Sequence, residues 1–135
     1  GSPVSLADVK VPLCAIACET DHIAHWRGSF NGVKQMGSKD KTFILSQSGH
    51  IAGIINPPSK GKYGHYTSDA PVQGAPEDWL KDADFTAGSW WPRWGAWLAK
   101  SSGPMVKARQ RGDGAAVLAP APGTYVLPRA PVMSG

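Results

Sequence analysis

The sequence predicts an α/β fold: a few parallel strands, flanking helices and a Gly/Pro-rich tail. Three observations carry that expectation. A nearly unbroken apolar run over residues 9–18 and a shorter one over 41–47 have the length and composition of buried strands. Between them, residues 24–36 place Trp26, Phe30, Val33 and Met36 at helical spacing. Strand, helix and strand in that order imply a parallel pair joined by a right-handed crossover.

Each element has its own warrant. Pro12 falls near the start of the first run, where a strand tolerates the missing N–H, and the run ends in Glu19-Thr20-Asp21. Gly28 and Gly32 weaken the helix, and Gly37 supplies its stop. The second strand ends at Ser48-Gly49-His50. Residues 51–73, rich in Gly, Pro, Lys and Tyr, read as an irregular excursion with a short helix over 51–55. A proline followed by acids starts a helix over 75–80. Ser89 caps a further helix over 90–100, with Pro92 in its first turn and Trp90, Trp94, Trp97 and Leu98 on one face. Residues 101–135 hold five Gly and five Pro without periodicity and read as a largely irregular or disordered tail. The organisation expected is thus one domain portion over 1–100 and the tail over 101–135.

Composition narrows the classes. With 41% hydrophobic and 18% charged residues, the 135-residue chain reads as globular, and no apolar run is long enough for a membrane span. Gly1-Ser2-Pro3 lacks the basic-then-apolar pattern of a signal peptide, and the missing initiator Met suggests a piece of a longer chain. Cys14 and Cys18 lie four apart on one strand, roughly 13 Å, too far for a disulfide. Free thiols suit a reducing cytoplasm. The net charge of +4 is mild, with five basic residues from Lys100 onward. A basic tail can favour polyanions, but a solvated end is the simpler reading, and no nucleic-acid partner is expected.

The strand order brings Asp21 and His50 to one edge of the sheet, the edge where open α/β sheets carry their sites. An acid beside an imidazole fixes its tautomer and stabilises the imidazolium formed when it accepts a proton. The pattern leaves an alternative open, in which Asp21 caps the following helix and His50 is an ordinary loop residue. Cys14 and Cys18, inside a buried strand and without an exposed turn, read as structural. A metal site from His22, His25 and His50 lacks a tightly spaced third ligand and is not expected. Ser46 and Ser48 lack the context of a nucleophile, and His65 has no assigned role. The tryptophan face reads as core, with contact to an apolar surface as the alternative.

The stretches E-T-D-H-I (19–23) and S-G-H-I-A-G-I-I-N-P-P (48–58) resemble poly(3-hydroxyalkanoate) synthases. G-S-W-W-P-R-W-G-A-W-L (88–98) is similar to a tryptophan-rich segment near the end of that family. The resemblance implies the C-terminal portion of an α/β-hydrolase fold in which a cysteine replaces serine at the nucleophile turn. It implies that Asp21 orients His50, that His50 takes the thiol proton, and that the thiolate attacks a 3-hydroxyacyl-CoA thioester. CoA then leaves, and the hydroxyl of one unit attacks the acyl group of another. His22, within the same D-H-I motif, is implied as a substrate-channel residue. Also implied are no cofactor beyond the CoA thioester substrate, a growing polyester and its granule surface as partners, a homodimer, and a cytoplasmic, granule-associated location. The chain departs from the family in holding no G-x-C-x-G turn, so alone it is expected to be inactive. The alternatives are an esterase or depolymerase with a serine in that turn, and a non-catalytic granule- or partner-binding module.

Overall fold

A computed structural model describes residues 1–110, 112, 114, 116 and 118–127. They fall into two units, Gly1–Gly103 and Pro104–Gly135. The first unit runs β1 (Leu13–Cys18), α1 (Trp26–Gln35), β2 (Lys41–Ser46), β3 (His65–Thr67), α2 (Pro76–Lys81), β4 (Asp84–Thr86) and α3 (Trp91–Ser102), with short 3-10 turns at Leu6–Asp8 and Pro58–Lys60.

The expected parallel pair is present: β1 runs beside β2 from Leu13 opposite Lys41 to Cys18 opposite Ser46. The expectation that all strands are parallel is corrected, because β3 and β4 add to the far side of β2 in antiparallel fashion. The excursion over 51–73 is therefore not wholly irregular. It returns the chain as β3, which a right-handed helical crossover is not needed to reach. The expected helix over 51–55 is a single turn, closed by Gly53 N–H to Gly49 C=O (2.9 Å) and Ile55 N–H to Ile51 C=O (2.8 Å). β1 is also four residues shorter than its apolar run: Ser5 caps the turn at Leu6–Asp8, and the ladder starts only after Pro12, where Leu13 N–H reaches Asp40 C=O at 2.9 Å.

Alternation along the strands divides the sheet into two faces. On one face Ala17, Phe43 and Leu45 meet Trp26, Phe30 and Val33 of α1, Trp79 of α2 and Val72. Phe43 stands edge-on to both Phe30 and Trp79, each centroid 5.2 Å away. Positions 26, 30 and 33 of α1 give the stripe that the spacing predicts, and the helix ends at Gln35, before Gly37. Gly37 has a different reason to be glycine: a Cβ there would strike the Ala7 carbonyl and Lys10 Nζ, so the N-terminal segment lies against it. Trp90, Trp94, Trp97 and Leu98 do not form the expected core stripe. Trp90 precedes α3 and is buried, whereas no residue of α3 is, and Trp91 and Trp94 are 37% and 39% exposed. Ser89 does accept from Trp91 N–H at 3.1 Å, although the capping position itself is Trp90.

In the second unit Gly123 N–H bonds Pro120 C=O at 2.8 Å and Leu127 N–H bonds Thr124 C=O at 3.1 Å, giving two tight turns. The last part of the tail expected over 101–135, residues 128–135, lies outside the described residues.

Candidate functional site

The parallel pairing of β1 and β2 continues past both strands. Glu19 N–H bonds Ser46 C=O (2.8 Å) and Thr20 N–H bonds Ser48 C=O (3.1 Å), so the two following loops leave the sheet side by side. One delivers Asp21 and the other His50.

Asp21 is 7% exposed and fully engaged. Its Oδ1 accepts the N–H groups of Ile23 (2.8 Å) and Ala24 (2.9 Å), a local turn that short acidic side chains favour. Its Oδ2 lies 2.8 Å from His50 Nδ1. The Ala24 amide above all, with His50 and the Ile23 amide, lowers the carboxyl pKa from 3.8 to about 2, against the opposing effect of burial. An ionised carboxylate only accepts, so Nδ1 of a neutral His50 carries the hydrogen and Nε2 keeps its lone pair. The His50 side chain is 48% exposed. Asp21 does not cap α1, whose capping position is His25 without a side-chain bond; its Oδ1 ties the turn over residues 21–24 and its Oδ2 meets the imidazole.

The turn that carries His50 is held from below. Ser48, between β2 and His50, has a left-handed backbone (φ 74°), unusual for a residue with a side chain. Gln47 N–H bonds Gly64 C=O and its Oε1 accepts Gly64 N–H, both at 2.9 Å. The Gly53 carbonyl accepts Ser46 Oγ–H and Trp90 Nε1–H, each at 2.9 Å. Trp91 Nε1–H reaches the next carbonyl, Ile54, at 3.0 Å. None of these supports was read from the sequence. A lone serine at the end of β2 gives no sign that it will bond the Gly53 carbonyl, and indole donors 37 positions downstream leave no spacing signal.

A cavity of about 190 Å³ adjoins the pair, lined by Cys18, Asp21, Ala24, Ser29, His50 and Ile54 among others. A larger cleft of about 450 Å³ opens at the other end of the strands, where Arg93 and Asp69 approach to 3.5 Å. It touches neither Asp21 nor His50; of the two, only the smaller cavity adjoins the pair. Cys18 is buried, and its thiol pKa is pushed up by burial and then by the charge of Asp21. Burial also pushes up Cys14, with Arg93 opposing. Both thiols thus favour the protonated form, the reverse of what a nucleophile requires. His22 and His25 are exposed, and His65 is buried with Nδ1 3.0 Å from the Gly88 carbonyl. The described residues contain no group of three His, Cys, Asp or Glu placed to hold a metal. Among them no helix is long and apolar enough to cross a membrane.

No family model matches the chain. Among curated proteins it is 45% identical over 130 residues to poly(3-hydroxyalkanoate) polymerase subunit PhaC of Rhizobium meliloti, covering 96% of this chain and 21% of that protein. The subunit PhaC of Cupriavidus necator is 42% identical over 132 residues, covering 96% and 22%. Poly(3-hydroxyalkanoate) polymerase 2 of Ectopseudomonas oleovorans is 39% identical over 131 residues, covering 96% and 23%. The resemblance carried by three motifs therefore extends over nearly the whole chain, which is kin to the poly(3-hydroxyalkanoate) polymerases through a segment about one fifth of their length.

Proposed function

We propose that this chain supplies the acid and base of a poly(3-hydroxyalkanoate) polymerase of α/β-hydrolase fold, from the C-terminal part of its catalytic domain. The reading rests above all on one observation: the 2.8 Å contact from Asp21 Oδ2 to His50 Nδ1, which leaves Nε2 free on a half-exposed ring. Nε2 of His50 takes the proton of a cysteine thiol that lies outside these 135 residues. The thiolate attacks the thioester carbonyl of a 3-hydroxyacyl-CoA, the bond from carbonyl carbon to CoA sulfur breaks, and CoA departs with the proton held by His50. The imidazole then accepts the proton of a 3-hydroxyl group as that oxygen attacks a second acyl thioester; the acyl carbon–sulfur bond breaks, the departing thiolate takes the proton back from His50, and the ester bond is formed. Asp21 stabilises the imidazolium at each transfer. His22, exposed beside Asp21, belongs to the path of the substrate, and the working site is the surface of a cytoplasmic polyester granule.

In a polymerase that contains this segment, His50→Gln and Asp21→Asn lower CoA release by about 10²–10⁴-fold, the usual share of a positioned acid or base. Parental rates in His50→Gln would refute the assignment. The 135-residue chain alone, given 3-hydroxybutyryl-CoA and a thiol reporter, releases no CoA. Turnover there would show that a nucleophile is present after all.

A further inference from the structure

His50 is half exposed, and the one hydrogen bond described for its ring is to Asp21. Its position therefore depends on the backbone turn over 49–55, and that turn is fixed by its carbonyls. Gly53 C=O is gripped by Ser46 at the end of β2 and by Trp90 just before α3, both at 2.9 Å. Ile54 C=O is gripped by Trp91. The same Gly53 offers its N–H to Gly49, so one residue links the two external donors to the loop preceding His50. Its α-carbon faces Cys18 so closely that a Cβ would come within 2.5 Å of the sulfur. The turn thus rests on β1, β2 and the tryptophan pair at once.

We propose that Trp90, acting with Ser46, is a positioning residue for His50: the indole N–H sets the turn so that Nδ1 meets Asp21, and this is the task of the first tryptophan of the Trp-Trp-Pro segment. Its bearing on catalysis rests on the proposed role of His50 as base. The placement of the ring stands independently of that role, and the two are read by different measurements. Trp90 is buried as well, so the test must separate positioning from packing.

The ratio of the two neutral imidazole tautomers provides that separation. It is read from nitrogen-15 shifts of histidine-labelled chain in mildly alkaline buffer, where imidazoles are neutral. In the parent chain His50 is mainly the Nδ1–H form. Trp90→Phe keeps an aromatic ring and deletes the donor. The loss of one hydrogen bond moves the ratio about fivefold toward Nε2–H. Ser46→Ala, which removes one hydroxyl, moves it similarly and reads the same effect should Trp90→Phe fail to fold. The double variant leaves the buried Gly53 carbonyl without either donor and loses the Nδ1–H preference. Amide exchange of Phe43, Ile44 and Leu45 stays at the parental rate in the single variants. An unchanged His50 ratio in folded Ser46→Ala and Trp90→Phe chains would overturn the proposal. So would a change in the ratio that only tracks a uniform rise in core amide exchange, since that is the mark of packing alone. In a polymerase carrying the segment, Trp90→Phe lowers kcat for CoA release with KM unchanged. If His50→Gln leaves CoA release intact while the tautomer ratio still responds to Trp90→Phe, the base assignment fails and the positioning stands.

Discussion

Gly53→Ala tests the support of the histidine turn from the opposite direction, by adding an atom instead of removing a donor. A Cβ built on Gly53 lies 2.5 Å from Cys18 Sγ, 2.8 Å from the Gln47 carbonyl oxygen and 3.1 Å from that of Gly49. Unstrained non-bonded contacts begin near about 3.5 Å, so the sulfur is overlapped by about 1 Å and the Gln47 oxygen by somewhat less. Neither yields cheaply. Cys18 is 2% exposed within β1, and Gln47 is tied to Gly64 through its amide and its side chain. Forcing a methyl into such a site costs about 2 kcal/mol. For a unit of this size that corresponds to a Tm lower by roughly 10 °C in a thermal melt followed by circular dichroism. Adding Cys18→Ala removes the worst contact but leaves both carbonyl oxygens, so the rescue is partial. A Gly53→Ala chain that melts within about 2 °C of the parent, with His50 still mainly Nδ1–H, would refute the claim that this turn is closely packed on β1.

Other consequences follow from the same geometry. The pKa of Asp21 is about 2 in the fold against 3.8 ordinarily, so its contribution to stability is complete above about pH 4 and is lost as pH falls toward 2. Asp21→Asn therefore flattens the acid limb of a stability-versus-pH curve in that window, and an unaltered limb would show that its hydrogen bonds are not made in solution. Ser48→Val puts a β-branched residue at φ 74° and lowers stability by about 2 kcal/mol in urea titration, whereas Ser48→Gly stays within about 1 kcal/mol of the parent. Phe43→Ala empties the centre of the aromatic trio with Phe30 and Trp79 and costs about 3–5 kcal/mol, measured by the same titration.

The parts legible in the sequence are those whose physics is periodic or local. The stripe of Trp26, Phe30 and Val33 and the apolar runs of β1 and β2 declare one parallel crossover, and that crossover alone brings the Asp21 and His50 loops together. β3 and β4 were not legible because three residues are too few for alternation to register. Tyr66, Thr67, Phe85 and Thr86 suit strands, but what places them is the edge that β2 offers β3 and that β3 offers β4. The α3 tryptophans failed as a core stripe for a related reason. Periodicity tells which residues share a face, but not whether anything covers it. Trp90 and Ser46 were invisible as supports since both act through a backbone carbonyl, which every residue possesses.

The arrangement at the sheet edge has a chemical one-sidedness. Every charged or polar feature around Asp21 favours one state of its partner: two amides and an imidazole N–H hold the carboxylate ionised, and the ionised carboxylate fixes the hydrogen on Nδ1. A ring so fixed is prepared to accept a proton at Nε2. Nothing comparable is done for the thiol closest at hand. Cys18 shares the cavity with His50, yet burial and the neighbouring charge of Asp21 both hold its proton on. The same carboxylate that holds the hydrogen on His50 Nδ1 thus disfavours ionisation of this cysteine. That opposition is why the proposed function gives the proton transfers to His50 and leaves the bond-forming thiol to a residue other than Cys18.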